Sequence, residues 1–315
     1  MKTLVTGAAG FIGSHLCEEL LGRGDTVVGV DCFLDNYPRA RKEAQVAALR
    51  RMPGFELVES PILELDLAGL LGGIDRVFHL AALPGVRPSW GGAFEGYLRH
   101  NVLSTQALLE ACKAAGTARF VYASSSSVYG DTDVLPMRED AATRPHSPYG
   151  VTKLAAEHMV RLYHRNFGVP TVSVRYFTVY GPRQRPDMAI QRFLTAARDG
   201  TPIRVFGDGS QSRDFTYVAD IVEGTRRAAE TGRAGAVYNL GGGSRVTLEE
   251  LIAVIEGVTG TRLQARREAG KPGDVSSTEA DCRAAQQDLD FIPATSLRDG
   301  LVQHWQWLAL EPVEP

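Results

Sequence analysis

The sequence predicts an α/β fold, a doubly wound parallel sheet to which a smaller lobe is added toward the C-terminus. Short apolar stretches at Lys2–Thr6, Thr26–Val30, Arg76–Leu80, Arg119–Ala123 and Thr171–Phe177 alternate with helical patterns. That order builds a parallel sheet covered by helices on both faces. A glycine-rich turn, Gly7-Ala8-Ala9-Gly10-Phe11-Ile12-Gly13, joins the first strand to the first helix. From Asp187 onward the alternation gives way to short segments: Ile203–Gly207, the Arg213-Asp214-Phe215 turn and the basic stretch Arg262–Lys271. These suit a smaller domain closing over a crevice, and Val237–Leu240 is expected to return to the sheet.

The first turn is the first place where the sequence points to chemistry. Backbone N–H groups and the dipole at a helix N-terminus can hold a pyrophosphate, and the glycines permit a tight turn and close approach. The next strand, Thr26–Val30, ends in Asp31. A carboxylate at that separation suits an adenosine ribose and would repel a 2′-phosphate, so NAD is favoured over NADP.

Arg39–Arg51 reads as a charged surface helix, followed by the strand Phe55-Glu56-Leu57-Val58 and then Asp66-Leu67. Asp66 either approaches an adenine or caps a helix. The strand Arg76–Leu80 runs into Ala81 and Ala82, small enough to let a cofactor lie against the backbone. In the following loop, Gly85-Val86-Arg87-Pro88-Ser89, Arg87 either reaches a ligand phosphate or sits in solvent. A long helix is expected from about Asn101. The strand Arg119–Ala123 then delivers Ser124-Ser125-Ser126-Ser127-Val128-Tyr129-Gly130 to its carboxyl end, where ligands of parallel sheets lie.

Ser147-Pro148-Tyr149-Gly150-Val151-Thr152-Lys153 opens the next helix, with Ser147 as cap and Pro148 in its first position. Tyr149 and Lys153 are four residues apart, on one face. A phenol of ordinary pKa about 10 needs about 4 kcal/mol of phenolate stabilisation to act as a base near pH 7. One cation at about 5 Å contributes on the order of 3 kcal/mol. Lys153 alone is marginal, and a second positive charge such as an oxidised nicotinamide would complete the task.

Of the 315 residues, 44% are apolar, enough for one large or two modest domains with a substantial core. The formal charge is −3 with dispersed arginines, which argues against nucleic acid as a partner. The first strand begins at Lys2 and no apolar run approaches membrane-spanning length, so neither a leader nor a membrane partner is expected and a cytoplasmic location is the default. Cys17, Cys32, Cys112 and Cys282 are scattered without metal-ligand spacing, so no metal is expected.

Taken in order, Thr6-Gly7-Ala8-Ala9-Gly10-Phe11-Ile12-Gly13, His79-Leu80-Ala81-Ala82, Ser125 before Val128-Tyr129-Gly130, Tyr149 with Lys153, and Arg213-Asp214 resemble the extended short-chain dehydrogenases/reductases that act on nucleotide sugars. The resemblance covers nearly the whole chain. It implies a Rossmann-type NAD-binding domain over residues 1–180, with a return segment at about 215–245, and a nucleotide-sugar-binding lobe over 181–214 and 246–315. It further implies bound NAD, a UDP-sugar substrate, and homodimers built through the two long helices beginning near Asn101 and Tyr149.

Carried over residue by residue, the resemblance makes Tyr149 the general base, Lys153 the residue that binds the nicotinamide ribose and lowers the phenol pKa, and Ser125 the partner of the reacting hydroxyl. Gly7, Gly10, Phe11, Ile12, Gly13, Asp31, Asp66, Leu67, Leu80, Ala81, Ala82, Tyr149 and Lys153 would hold NAD. Arg87, Ser125, Ser126, Ser127, Tyr149, Thr178, Arg185, Arg192, Val205 and Arg213 would hold the nucleotide sugar. Lys271 and Asp274, in Lys-Pro-Gly-Asp, match a nucleotide-contacting motif, although many relatives carry arginine where Lys271 stands; lysine keeps the charge and loses the bidentate fork.

Relatives that eliminate water or decarboxylate place acidic residues immediately before the Val-Tyr-Gly, where Ser126 and Ser127 stand here. Epimerisation at C4 remains: Tyr149 removes the hydroxyl proton, hydride passes to NAD, the 4-keto sugar turns, and hydride returns to its other face. Phe177-Thr178-Val179-Tyr180-Gly181-Pro182, with Arg185-Pro186-Asp187-Met188, looks like the uronic-acid branch, the UDP-glucuronate 4-epimerases. A hydroxyl and a guanidinium suit a C6 carboxylate. A 4-epimerase for UDP-glucose or UDP-N-acetylglucosamine, a UDP-glucuronate decarboxylase, and a non-catalytic NAD-binding sensor are the competing readings.

Overall fold

The computed structural model describes residues 1–132, 134–269, 273 and 275–311. Its first half winds in the expected alternation. Strands β1 (Lys2–Thr6), β2 (Thr26–Asp31) and β3 (Phe55–Glu59) are interleaved with helices α1 (Phe11–Gly22) and α2 (Arg39–Leu49). The short helix α3 (Leu67–Leu70) precedes β4 (Arg76–His79), and α4 (Phe94–Tyr97) runs through a π-helical stretch, Leu98–Leu103, into α5 (Ser104–Ala115). Strand β5 (Arg119–Ser125), helix α6 (Pro148–Phe167) and β6 (Thr171–Tyr176) follow.

The second half contributes strands β7 (Thr178–Tyr180), β8 (Ile203–Phe206), β9 (Ser212–Tyr217), β10 (Val237–Leu240), β11 (Ser244–Thr247) and β12 (Ala265–Glu268). Its helices are α7 (Ala189–Asp199), α8 (Val218–Glu230), α9 (Leu248–Thr259), α10 (Arg283–Leu289) and α11 (Leu297–Leu310). The central sheet has seven strands in the order β10-β6-β5-β4-β1-β2-β3, and every neighbouring pair is parallel. Strand order therefore reverses between β1 and β4. A crevice opens at the carboxyl ends of strands at such a switch point.

The remaining strands form two small sheets. In one, β9 lies between β11, antiparallel, and β7, parallel; in the other, β12 pairs in parallel with β8. The Arg213-Asp214-Phe215 segment is thus a strand rather than a turn. Asp214, nearly fully buried, accepts hydrogen bonds from the backbone N–H of Gly242 and of Ala280, each at 2.9 Å. These tie the small sheet to the end of β10.

The core explains why the central strands read as unbroken apolar runs. Leu4, Val5, Val77, Phe78, Phe120, Val121, Val172 and Val174 are excluded from solvent on both faces. His79 is one of the polar residues buried among them. Thr105 spends its hydroxyl proton on the Asn101 carbonyl, 2.7 Å away, so it can only accept from His79 Nε2 at 2.9 Å. Nδ1 then accepts from the Thr6 hydroxyl at 2.7 Å, and Thr6 Oγ1 in turn accepts from the Ala81 N–H. The neutral imidazole links β1, β4 and α5 just beneath the crevice wall.

The long helix expected from Asn101 begins earlier, at Phe94, and Asn101 lies within the π-helical stretch. Its amide accepts from Leu83 N at 2.7 Å and donates to Leu83 O and to Thr152 Oγ1, joining the crevice loop to α6. Helix α6 is capped as its sequence requires: the Ser147 hydroxyl accepts from Gly150 N at 3.1 Å, Pro148 occupies the first turn, and Gly168 closes the helix at φ 71°.

Candidate active site

The glycine turn creates a cleft because two of its glycines leave no room for a side chain. A β-carbon on Gly13 would stand 2.0 Å from the Gly7 carbonyl oxygen; on Gly7, itself at φ +74°, it would stand 2.9 Å from Ala81 N. The turn is therefore pressed against both its own helix and the end of β4. The resulting cleft, about 220 Å³, is lined by Gly7, Gly10, Phe11, Ile12, Gly13, Asp31, Leu80, Ala81 and Ala82, with Tyr149 and Lys153 at its far side.

Asp31 is held by backbone N–H groups, Oδ2 accepting from Ala9 at 3.0 Å and Oδ1 from Phe33 at 2.8 Å. Burial pushes its carboxyl above the ordinary range, while those two N–H groups and Lys42 pull it back. Asp66 does not reach the cleft: its side chain caps α3, accepting from Gly69 N at 3.2 Å, and Leu67 packs against the core below. The wall expected from those two is made by Ser60, Pro61, Ile62 and Leu63, which leave β3 directly.

A second cavity, about 1320 Å³, adjoins the first. Its walls include Arg87, Ser125, Ser126, Ser127, Thr178, Arg185, Arg192 and Arg213, so both halves of the chain contribute. Arg87 stacks over the Phe206 ring at 4.3 Å, and Arg213 donates to the carbonyls of Ser212 and Val275 at 2.9 and 2.7 Å. Val205 is not brought to the cavity: the pleat of β8 turns it into the core, while its neighbours Arg204 and Phe206 line the wall. Lys271 and Asp274 lie outside the described residues.

Tyr149 and Arg185 stand in the walls of both cavities. Burial raises the Tyr149 phenol, and two neighbours oppose it: a hydrogen bond with Ser125 and the Arg185 guanidinium. Ser125 Oγ also accepts from Ser127 N at 3.1 Å, which fixes its hydroxyl at the strand end. Lys153 is buried, donates to the Ala123 carbonyl and lies 4.5 Å from the centre of the Tyr122 ring. Burial drives its ammonium down to about 7, with Glu157 acting the other way. Its charge therefore changes near neutrality.

A model of the NAD dependent epimerase/dehydratase family matches residues 3–241. The chain belongs to that family. Among solved structures, it superposes with a TM-score of 0.96 on the UDP-glucuronic acid 4-epimerase from Bacillus cereus in complex with UDP-glucuronic acid and NAD, at 44% identity over 98% of this chain and 99% of that one. A Bacillus subtilis protein named as an uncharacterized UDP-glucose epimerase is 45% identical over 98% of both chains. The UDP-glucuronate 4-epimerase of Thermodesulfobacterium geofontis is 37% identical over 96% of this chain and 95% of its own.

This member of the epimerase/dehydratase family also carries residues at its site that the sequence reading passed over. Lys42, within the charged helix α2, is buried; it donates to the Leu34 carbonyl and, at 2.7 Å, to Asn36 Oδ1, and it lies 4.4 Å from the centre of the Tyr37 ring. Lys42, Leu34, Asn36 and Tyr37 all line the first cleft. A lysine in a polar helix gives no sign of burial. The one available signal was the apolar Tyr37 five residues before it. Among the described residues no group of three or more His, Cys, Asp or Glu is placed to hold a metal, and no helix is long and apolar enough to cross a membrane.

Proposed function

We propose that the protein is a UDP-glucuronate 4-epimerase that interconverts UDP-glucuronate and UDP-galacturonate. The observation that carries this is the place of Tyr149 and Arg185, a phenol and a guanidinium shared by the two cavities, beside a strand end whose residues Ser125–Ser127 hold hydroxyls and no carboxyl group. The cleft fits NAD: Gly7, Gly10, Phe11, Ile12 and Gly13 would hold its pyrophosphate, Asp31 its adenosine ribose, and Leu80, Ala81 and Ala82 its length. Bound NAD supplies the acceptor and later the donor of hydride at C4.

The chain's own residues then divide the remaining work. Tyr149 takes the C4 hydroxyl proton and returns it, which requires its phenolate. Ser125 holds the sugar oxygen and passes a hydrogen bond to Tyr149. Lys153 and Arg185 are the positive groups that bring the phenol toward neutral pH. Thr178 and Arg185 hold the C6 carboxylate in the ring plane, so that the β-keto acid formed at C4 keeps its carbon dioxide. Arg213, with Arg87 and Arg192, meets the diphosphate.

Residues 1–180 with the return segment serve as the NAD-binding domain and the rest as the sugar lobe. The protein acts as a cytoplasmic homodimer; the exposed Leu103 on the run into α5 and Val151 and Leu162 on α6 support this reading as an apolar face for a second copy.

NMR of the purified protein incubated with UDP-glucuronate in deuterated water tests the assignment. UDP-galacturonate without deuterium at C4 is the expected product. A pentose product would make the protein a decarboxylase. Silence with UDP-glucuronate and turnover of UDP-glucose would favour the activity named for the Bacillus subtilis relative.

A further inference from the structure

One residue on the face of α6 that carries Tyr149 and Lys153 has no part in the reading above. Glu157 lies one further turn along and is 1% exposed. Its carboxylate accepts from Arg175 Nη2 at 2.6 Å, from Arg175 Nε at 3.0 Å and from the Ser124 hydroxyl at 2.6 Å. Arg175 is fixed in turn, donating to Tyr129 Oη at 2.8 Å and to the Glu139 carbonyl at 3.1 Å. A buried carboxylate gripped by three such donors, one of them a guanidinium in an ion pair with it, has one position.

Lys153 lies between this carboxylate and Tyr149. The groups around the ammonium are Tyr122 and the Ala123 carbonyl on β5 and the neutral His79 on β4, and Glu157 acts on it from its own helix. Among the described residues, the one acid that acts on it is Glu157. A buried ion pair such as Arg175–Glu157 contributes little net stability over an apolar pair of the same volume, so stability alone is a weak reason for it.

We propose that Glu157 is a positioning residue for the reaction, a fixed negative charge one turn behind Lys153 that keeps the ammonium charged and in place beneath Tyr149. This rests on the epimerase reading of the site. It also gives a reason for a carboxylate at a place where no ligand can reach: an ammonium buried without a counter-charge sheds its proton, and the phenolate of Tyr149 would lose its nearest support on the same helix.

The test is Glu157→Gln, which keeps the shape and removes the charge, with Glu157→Gln/Arg175→Met as the second variant should the lone guanidinium unfold the first. Lysine-labelled protein is titrated by NMR and the Lys153 signal followed, and kcat is measured against pH with UDP-glucuronate. The expected result is a Lys153 midpoint at least about one pH unit lower, a tenfold change in its ionisation equilibrium, with kcat reduced about tenfold at pH 7.5, KM within about twofold, and a deficit that grows as pH rises.

A Lys153 midpoint within about 0.3 unit of the parent, or a loss of kcat equal at every pH, would overturn the proposal and leave Glu157 a structural residue. If the parent protein leaves UDP-glucuronate unchanged, the epimerase reading fails, and the titration of Lys153 still decides the role of Glu157.

Discussion

Arg185 grips Asp187 with both arms of its guanidinium, Nε and Nη2 each 2.9 Å from a different carboxylate oxygen. Arg185 is mostly buried beside Tyr149, whereas the Asp187 side chain is 57% exposed. The guanidinium that is proposed to meet a uronate thus already holds a carboxylate of the chain. An incoming C6 carboxylate either takes the remaining N–H face or displaces Asp187, and the exposure of Asp187 makes it the partner that can leave.

Arg185→Ala is therefore expected to raise KM for UDP-glucuronate at least about tenfold, the scale of one lost charge-assisted hydrogen bond. It is also expected to release a pentose product, since the carboxylate is no longer held in the ring plane. Asp187→Asn should have the opposite sign on binding and lower KM. Steady-state kinetics with NMR identification of the product checks both; unchanged KM and no pentose in the Arg185 variant would remove it from the carboxylate site.

Tyr149→Phe separates chemistry from binding. The ring makes an edge contact with Tyr97, centroids 6.2 Å apart, which phenylalanine can keep. Only the hydroxyl is lost, and with it the hydrogen bond to Ser125. The expectation is a kcat at least about a hundredfold lower, as for loss of general base catalysis, with NAD and UDP-glucuronate affinities within about twofold. Turnover near the parent level would place the base elsewhere.

The distribution of what the sequence showed follows from how local each feature is. The Gly7–Gly13 turn, the capped start of α6 and the strand end at Ser125 are each decided by a few adjacent residues, and the structure has them where they were expected. Of the two tasks open to Asp66, the structure shows the helix cap, and the cleft wall is made by the residues that leave β3 first, Ser60–Leu63. The Val205 side chain faces the core because a strand's period of two decides which neighbours face a cavity, here Arg204 and Phe206, and one residue of register exchanges the faces. The Arg175–Glu157 pair was invisible because its partners are 18 residues apart on different elements, brought together only by packing α6 against the sheet.

Gly13→Ala tests whether the cradle or merely the fold requires the glycine. One added carbon would stand 2.0 Å from the Gly7 carbonyl, so the turn must move away from α1. Since Gly7 also abuts Ala81, that shift changes the cleft along its length. NAD affinity by calorimetry is expected to fall at least about a hundredfold, about 2.7 kcal/mol, with far-ultraviolet circular dichroism unchanged. Retained affinity would show that the pyrophosphate does not rest on this turn.

The last expectation concerns acid. His79 and His304 are excluded from solvent, and burial pulls both down to about 3. His304 donates from Nε2 to Gln191 Oε1 at 2.7 Å, while Nδ1 is buried without a partner, so a second proton there would be unsatisfied. In the unfolded chain each titrates near its ordinary 6.5. Between about 6.5 and 3 the unfolded state binds more protons, so stability is full above that window and falls as pH drops through it. The loss is about 1.4 kcal/mol per pH unit for each histidine, or about 4 kcal/mol for both at pH 5. Urea midpoints at pH 7.5 and pH 5 measure it, and His304→Gln should remove its own share, about 2 kcal/mol. Equal midpoints at the two pH values would mean that both imidazoles are already charged, or reach solvent, in the folded protein.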